Sequence, residues 1–78
     1  MYVLTAKQQL QNLIAMDERN LEYAKSTANI ATLERITVLC AERYLSALDI
    51  KDCKEERRRT LANLQASVME LRRMRVLR

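Results

Sequence analysis

The sequence predicts an all-α fold, a small antiparallel bundle of three helices. Two observations support this prediction. None of the 78 residues is Gly or Pro, whereas average usage would supply roughly nine of the two together. Glycine serves left-handed turn positions and proline interrupts helices, so a chain without either is built almost wholly of helix. Apolar residues also recur at helical spacing. At this length we expect a single helical domain over residues 1–78.

The first helix is predicted over about 6–27. Thr5-Ala6-Lys7-Gln8 has the Ser/Thr-x-x-Glu/Gln form of a capping box, which marks a helix start. The apolar residues that follow lie on one stripe at helical spacing. This predicted core stripe consists of Leu10, Leu13, Ile14, Leu21, Ala24 and Ala28.

A second helix is predicted over about 32–48, where the apolar stripe changes direction. The new stripe is offset from the first by roughly 140° on the helical wheel. The offset falls on residues 26–32, which are rich in Ser, Thr and Asn that compete with the helix backbone. We therefore predict a break near 27–32; a continuous helix from 6 to about 48, giving a long helical hairpin, is the alternative. The second stripe consists of Leu33, Ile36, Cys40, Tyr44 and Ala47.

The third helix is predicted over about 53–77. Asp52-Cys53-Lys54-Glu55 resembles the first start signal, with Asp52 as the N-cap. Short connections and antiparallel helices place Val68 against Leu33. The predicted core stripe of this helix consists of Leu61, Leu64, Val68 and Leu71.

The composition argues against an enzyme. The chain has no His, the usual general base near neutral pH, and no Gly for a phosphate-binding loop. Its carboxylates, Asp17 and Glu56 among them, have basic neighbours and are interpreted as solvated. Cys40 and Cys53 form no Cys-x-x-Cys motif, and Cys40 is interpreted as core. We predict no catalytic residue, no metal site, no cofactor and no small-molecule substrate.

The sequence also argues against a membrane protein. No apolar run approaches the 18 residues that span a bilayer. The first four residues lack the basic lead of a signal peptide. We therefore expect a cytoplasmic protein without a membrane partner.

Positive charge is concentrated in the last third of the chain. Residues 1–52 carry six basic and seven acidic side chains, whereas residues 53–78 carry eight basic and three acidic ones. Arginine, which supplies most of these bases, binds phosphate and carboxylate in a bidentate manner. The arginines that could form a rim around a binding surface or contact phosphates are Arg58, Arg59, Arg72 and Arg73.

Apolar residues outside the main stripes indicate a second apolar surface. A three-helix core could absorb them, or they could form a helical seam for a partner. The predicted seam consists of Val38, Leu39, Leu45, Ala62, Met69 and Val76.

In size and helicity the chain resembles small helical cochaperones, adaptors and inhibitors, and also short helical-hairpin RNA binders. No motif carries this likeness. The sequence therefore predicts a non-enzymatic module that binds another protein, or a second copy of itself, through the seam, with arginines at its rim. The alternative is an Arg-rich helical regulator that binds RNA or DNA through its C-terminal helix.

Overall fold

The computed structural model describes residues 3–76, which form three α-helices and no strand: α1 (Ala6–Thr27), α2 (Ile30–Asp49) and α3 (Lys54–Val76). The predicted all-α fold of three helices is therefore confirmed. The predicted bounds of α1 agree with the structure. Helix α2 begins two residues earlier and ends one residue later than predicted, and α3 begins one residue later. Leu77, the predicted last residue of the third helix, lies outside the described residues.

Helix α1 begins with the capping box that the sequence predicted. The Thr5 hydroxyl accepts a hydrogen bond from the Gln8 backbone N–H at 3.1 Å, and the Thr5 N–H donates to Gln8 Oε1 at 2.9 Å. Two backbone N–H groups that a helix start leaves without partners are thereby satisfied.

The break between α1 and α2 falls at Ala28 and Asn29, within the predicted interval. Ala28 adopts the left-handed conformation with φ 53° and ends α1. Asn29 then caps α2, its side-chain oxygen accepting the Thr32 N–H at 3.0 Å. The alternative of one continuous helix to residue 48 is wrong, because a left-handed residue reverses the chain direction. Ala28, predicted as part of the first core stripe, is exposed.

The connection between α2 and α3 corrects the predicted N-cap. Asp52 has φ 59° and lies one residue too early. The first helical hydrogen bond of α3 runs from the Arg57 N–H to the Cys53 carbonyl at 2.9 Å, so Cys53 holds the N-cap position. The Cys53 side chain is fully buried.

Two apolar clusters form the core. Most residues of the first two predicted stripes are buried, whereas Leu13 and Tyr44 are half-buried. Leu33 shares its cluster with Leu71 and not with Val68, so the predicted placement of Val68 against Leu33 is wrong. One cluster consists of Leu21, Ala24, Leu33, Ile36, Cys40, Leu71 and Met74. The other consists of Leu10, Ile14, Ala47 and Cys53.

Candidate interaction surface

Helix α3 buries several polar side chains and exposes several apolar ones. Thr60 and Ser67 are at most 1% exposed, whereas Leu61 is 39% and Met69 is 68% exposed. The buried hydroxyls donate to backbone carbonyls within their own helix, Thr60 to Glu56 at 2.9 Å and Ser67 to Leu64 at 2.9 Å. Their burial therefore leaves no hydroxyl without a partner.

This arrangement corrects the predicted core stripe of the third helix. Of its four members, Leu71 is buried, Leu64 and Val68 are half-buried, and Leu61 is exposed. The physical reason is that α3 turns its polar side toward α1. Glu56, Arg59 and Asn63, which bond polar residues of α1, lie on that side.

Polar contacts attach α1 to α3. Gln11 Nε2 donates to the buried Glu56 carboxylate at 2.8 Å, and this hydrogen bond lowers the pKa of Glu56. Glu18 accepts hydrogen bonds from Arg59, at 2.6 Å, and from Asn63, at 3.3 Å. These bonds to Glu18 lower its pKa. The contacts fix the position of α1 on α3, since each requires a specific partner on the facing helix.

A buried ion pair attaches α1 to α2. Arg43 Nε donates to Asp17 Oδ2 at 3.0 Å, and the Asp17 side chain is 1% exposed. Burial raises the pKa of Asp17, and Arg43 partly opposes the rise. The interpretation of Asp17 and Glu56 as solvated carboxylates is therefore wrong, because each is buried between helices and bonded to a side chain of a neighbouring helix.

The opposite side of the α2–α3 pair remains uncovered. Arg43 of α2 and Arg59 of α3 each form an ion pair with α1, so each shows which side of its own helix faces α1. Leu45 lies roughly 160° around α2 from Arg43, and Leu61 lies roughly 160° around α3 from Arg59. Both leucines therefore point away from α1 and are exposed.

We call this surface the hairpin face. Val38 and Val68 lie seven residues, about two turns, from Leu45 and Leu61, so they extend the face along both helices. Along its α3 edge runs a shallow groove lined by Leu64, Gln65, Val68, Met69 and Arg72. The apolar residues of the hairpin face, exposed or half-buried, are Val38, Leu45, Leu48, Leu61, Val68 and Met69.

The structure places the predicted seam residues on different parts of the surface. Val38, Leu45 and Met69 belong to the hairpin face. The exposed Ala62 lies farther around α3, and Val76 lies beyond Met69 at the end of the helix, where the two line a groove with Arg72. Leu39 is half-buried and lines a separate groove between α1 and α2, which also contains Tyr23, Arg35 and Ile36. Leu61 and Val68 were missed because both lie on the predicted core stripe of the third helix, and Leu48 was missed because it lies on none of the predicted stripes.

Three of the four predicted rim arginines form ion pairs within the chain. Arg58 pairs with Glu55, Arg73 with Glu70, and Arg59 with Glu18 of α1. Arg72 is exposed, borders the groove beside Met69, and forms no ion pair within residues 3–76. Of the four, Arg72 is thus the one that stays available on the hairpin face.

Within residues 3–76, no group of three or more His, Cys, Asp or Glu side chains could hold a metal ion. None of the described helices is both long and apolar enough to cross a membrane. Compared with known proteins, the chain matches no protein-family model, no curated protein and no solved structure.

Proposed function

We propose that this protein is a non-enzymatic helical module that binds a partner protein through the hairpin face. One observation carries the proposal: α3 buries Thr60 and Ser67 while it exposes Leu61 and Met69. A helix in a self-sufficient bundle turns its apolar stripe to the core. A contiguous exposed apolar surface with polar edges is typical of a protein–protein interface.

The size of the chain supports the same proposal. A core built from 78 residues rarely contributes more than about 3–5 kcal/mol of net stability without a staple or a partner. Cys40 and Cys53 are both free, so no disulfide supplies that staple. Covering the hairpin face would add apolar burial at about 25 cal/mol per Å².

The module would act on its partner as an adaptor, cochaperone or inhibitor, and we place it in the cytoplasm. Two buried free thiols suit a reducing compartment. Affinity would come from the apolar residues, and the exposed Arg72 at their edge would orient an acidic group of the partner.

Nucleic-acid binding through α3 ranks second. Of the arginines predicted to contact phosphate, Arg58, Arg59 and Arg73 already pair with glutamates of the chain. Phosphate would have to compete with these carboxylates. If this function operates, protein purified without nuclease will elute with strong absorbance at 260 nm and lose it in high salt.

Site-specific photo-crosslinking tests the proposal. A photoreactive amino acid replaces Leu45 in one variant and Val68 in another, and each full-length chain is irradiated in its source cells. We expect protein adducts from both positions. The mass of each adduct reports the partner, whether a second copy or a different protein.

The matched control places the same amino acid at Tyr23, which is exposed on α1 outside the hairpin face. We expect little adduct from this position. Equal adducts from Tyr23 and Leu45, or none from any position, would overturn the proposal.

A further inference from the structure

The two helices of the hairpin face carry opposite charges. On α2, Glu34 and Asp49 are exposed and lie on the outer side near Val38 and Leu45. Of the two basic residues of α2, Arg43 pairs with Asp17 toward α1, and Arg35 borders the face, where it lines a groove with Val38 and Leu39. Glu34 and Asp49 lie closer to the middle of the outer side and give the α2 half of the face acidic ends.

The α3 half of the face is apolar with basic ends. Lys54 and Arg72 are exposed and flank Leu61 and Val68 along the outer side of α3. The three acidic residues of α3 lie on its other sides. Within residues 3–76, neither Lys54 nor Arg72 forms an ion pair, and neither do Glu34 and Asp49. The opposite charges of the two halves thus remain available.

We propose that the partner on the hairpin face is a second copy of this chain. In this dimer each α2 packs on α3 of the other copy, and the two hairpins form an antiparallel four-helix arrangement. The inference rests on the proposed function and adds the identity of the partner.

Symmetry selects this pairing. Within one chain, Arg57 Nε donates to the Ala47 carbonyl at 2.8 Å, so the antiparallel helices bring Asp49 level with Lys54, and Glu34 nearly level with Arg72. A two-fold axis parallel to the helices leaves every residue at the same height along the axis. It places α3 of one copy on α2 of the other. Glu34 then faces Arg72 of the second copy, and Asp49 faces Lys54 of the second copy.

The other face-to-face arrangement brings like charges together. A two-fold axis perpendicular to the helices lays α3 on α3 in antiparallel orientation, so that Arg72 meets Lys54 of the second copy. The α2 helices would likewise bring Glu34 against Asp49. Juxtaposed like charges suppress such a pairing.

The apolar residues fit the favoured arrangement. At the same levels, Leu45 faces Leu61 of the second copy and Val38 faces Val68 of the second copy. Helices of 20 and 23 residues are about 30–35 Å long and pack about 10 Å apart. They offer a face of roughly 600 Å², close to the ~800 Å² that each partner buries in a standard interface.

The first test is light scattering coupled to size-exclusion chromatography on the full-length chain at 5–100 µM, about the range where such dimers are detected. We expect twice the 9.1 kDa mass of one chain. Arg72→Glu and Glu34→Arg should each weaken the dimer at least ~10-fold, because each places two like-charge pairs in the interface. The combination of both substitutions should restore the dimer.

Arg19→Glu is the matched control. Arg19 is exposed on α1, opposite the buried stripe of that helix, and the substitution changes the net charge as Arg72→Glu does. The control should remain dimeric. A monomer at every concentration, or equal weakening by Arg19→Glu and Arg72→Glu, would overturn the inference.

A second test does not depend on charge. Val38→Cys and Val68→Cys chains are mixed and oxidised with copper phenanthroline. The proposed arrangement gives a disulfide between the two variants, whereas a disulfide from Val38→Cys alone would show α2 on α2 and overturn it. If the chain is monomeric but the Leu45 position crosslinks to a different protein, the inference that the partner is a second copy is wrong, whereas the proposed function stands.

Discussion

Asp17 and Arg43 form a buried ion pair between α1 and α2, with Arg43 Nε 3.0 Å from Asp17 Oδ2. The second carboxylate oxygen of Asp17 accepts no hydrogen bond from the described residues. Burial raises the pKa of Asp17 even though Arg43 opposes the rise. The ionised carboxylate is therefore a cost to the fold, and Arg43 limits that cost.

The two partners of this pair should respond unequally to substitution. Arg43→Met leaves a buried carboxylate without its cation and should destabilise the fold by about 3 kcal/mol at pH 7. Asp17→Asn keeps an acceptor for Arg43 and removes the buried charge, so its effect should stay within about 1 kcal/mol. Urea unfolding followed by circular dichroism measures both. Equal losses would contradict the unequal roles of Asp17 and Arg43 in this pair.

Asp17 and Glu18 are neighbours whose pKa values shift in opposite directions. Burial raises the pKa of Asp17, whereas hydrogen bonds from Arg59 and Asn63 lower that of Glu18. The folded chain therefore binds a proton at Asp17 more strongly, and at Glu18 more weakly, than the unfolded chain does. As pH falls, protonation of Asp17 stabilises the folded chain relative to the unfolded chain. Glu18 acts in the opposite direction. Its contribution to stability is fully present above its ordinary pKa of 4.5 and is lost as the carboxylate becomes protonated.

Opposite pH profiles should result for Glu18→Gln and Asp17→Asn. Glu18→Gln should cost about 0.5–1 kcal/mol at pH 7, since the pair with Arg59 is partly exposed. That cost should disappear as pH falls through the lowered pKa. Asp17→Asn should instead lose stability more steeply in acid than the wild type. The measurement is the free energy of unfolding of both variants at intervals from pH 7 to pH 3. Parallel pH profiles for the two variants would contradict the opposite pKa shifts of Asp17 and Glu18.

The helices were predictable because their signals are local. Thr5 and Gln8 form their capping box within one turn, and Asn29 caps α2 at the predicted break. The buried polar contacts were not predictable. Gln11 and Glu56 are 45 residues apart, so nothing near Glu56 indicates that its carboxylate is buried.

The misassignment of Leu61 has a related cause. Helix α3 carries apolar residues on more than one side, and periodicity alone does not tell which side faces the core. The contacts of Glu56, Arg59 and Asn63 with α1 turn the polar side of α3 inward, and Thr60 and Ser67 are buried with it. Of the six residues predicted to exceed what the core covers, Leu39 is half-buried, and the other five are exposed: Val38, Leu45, Ala62, Met69 and Val76.

Ala28 offers a way to raise stability. It ends α1 with φ 53°, a conformation that glycine adopts without the steric penalty of a Cβ atom. Ala28→Gly should stabilise the fold by about 0.5–1 kcal/mol, after the greater freedom of glycine in the unfolded chain is allowed for. Ala62→Gly, at an exposed position inside α3, is the control and should destabilise by about 1 kcal/mol. Thermal unfolding that ranks the two variants in the opposite order would contradict this prediction.

The two thiols should be protected in the folded chain. Cys40 and Cys53 are 1% and 0% exposed, and burial raises the pKa of the Cys40 thiol to about 11. Burial shields both thiols from reagents, so we expect both to react with an aromatic disulfide reagent at pH 8 on the order of 100-fold more slowly than in urea. Ser46→Cys, at an exposed position of α2, supplies the control and should add one fast thiol. A second fast thiol in that variant would place Cys40 or Cys53 at the surface and would contradict their burial in the core.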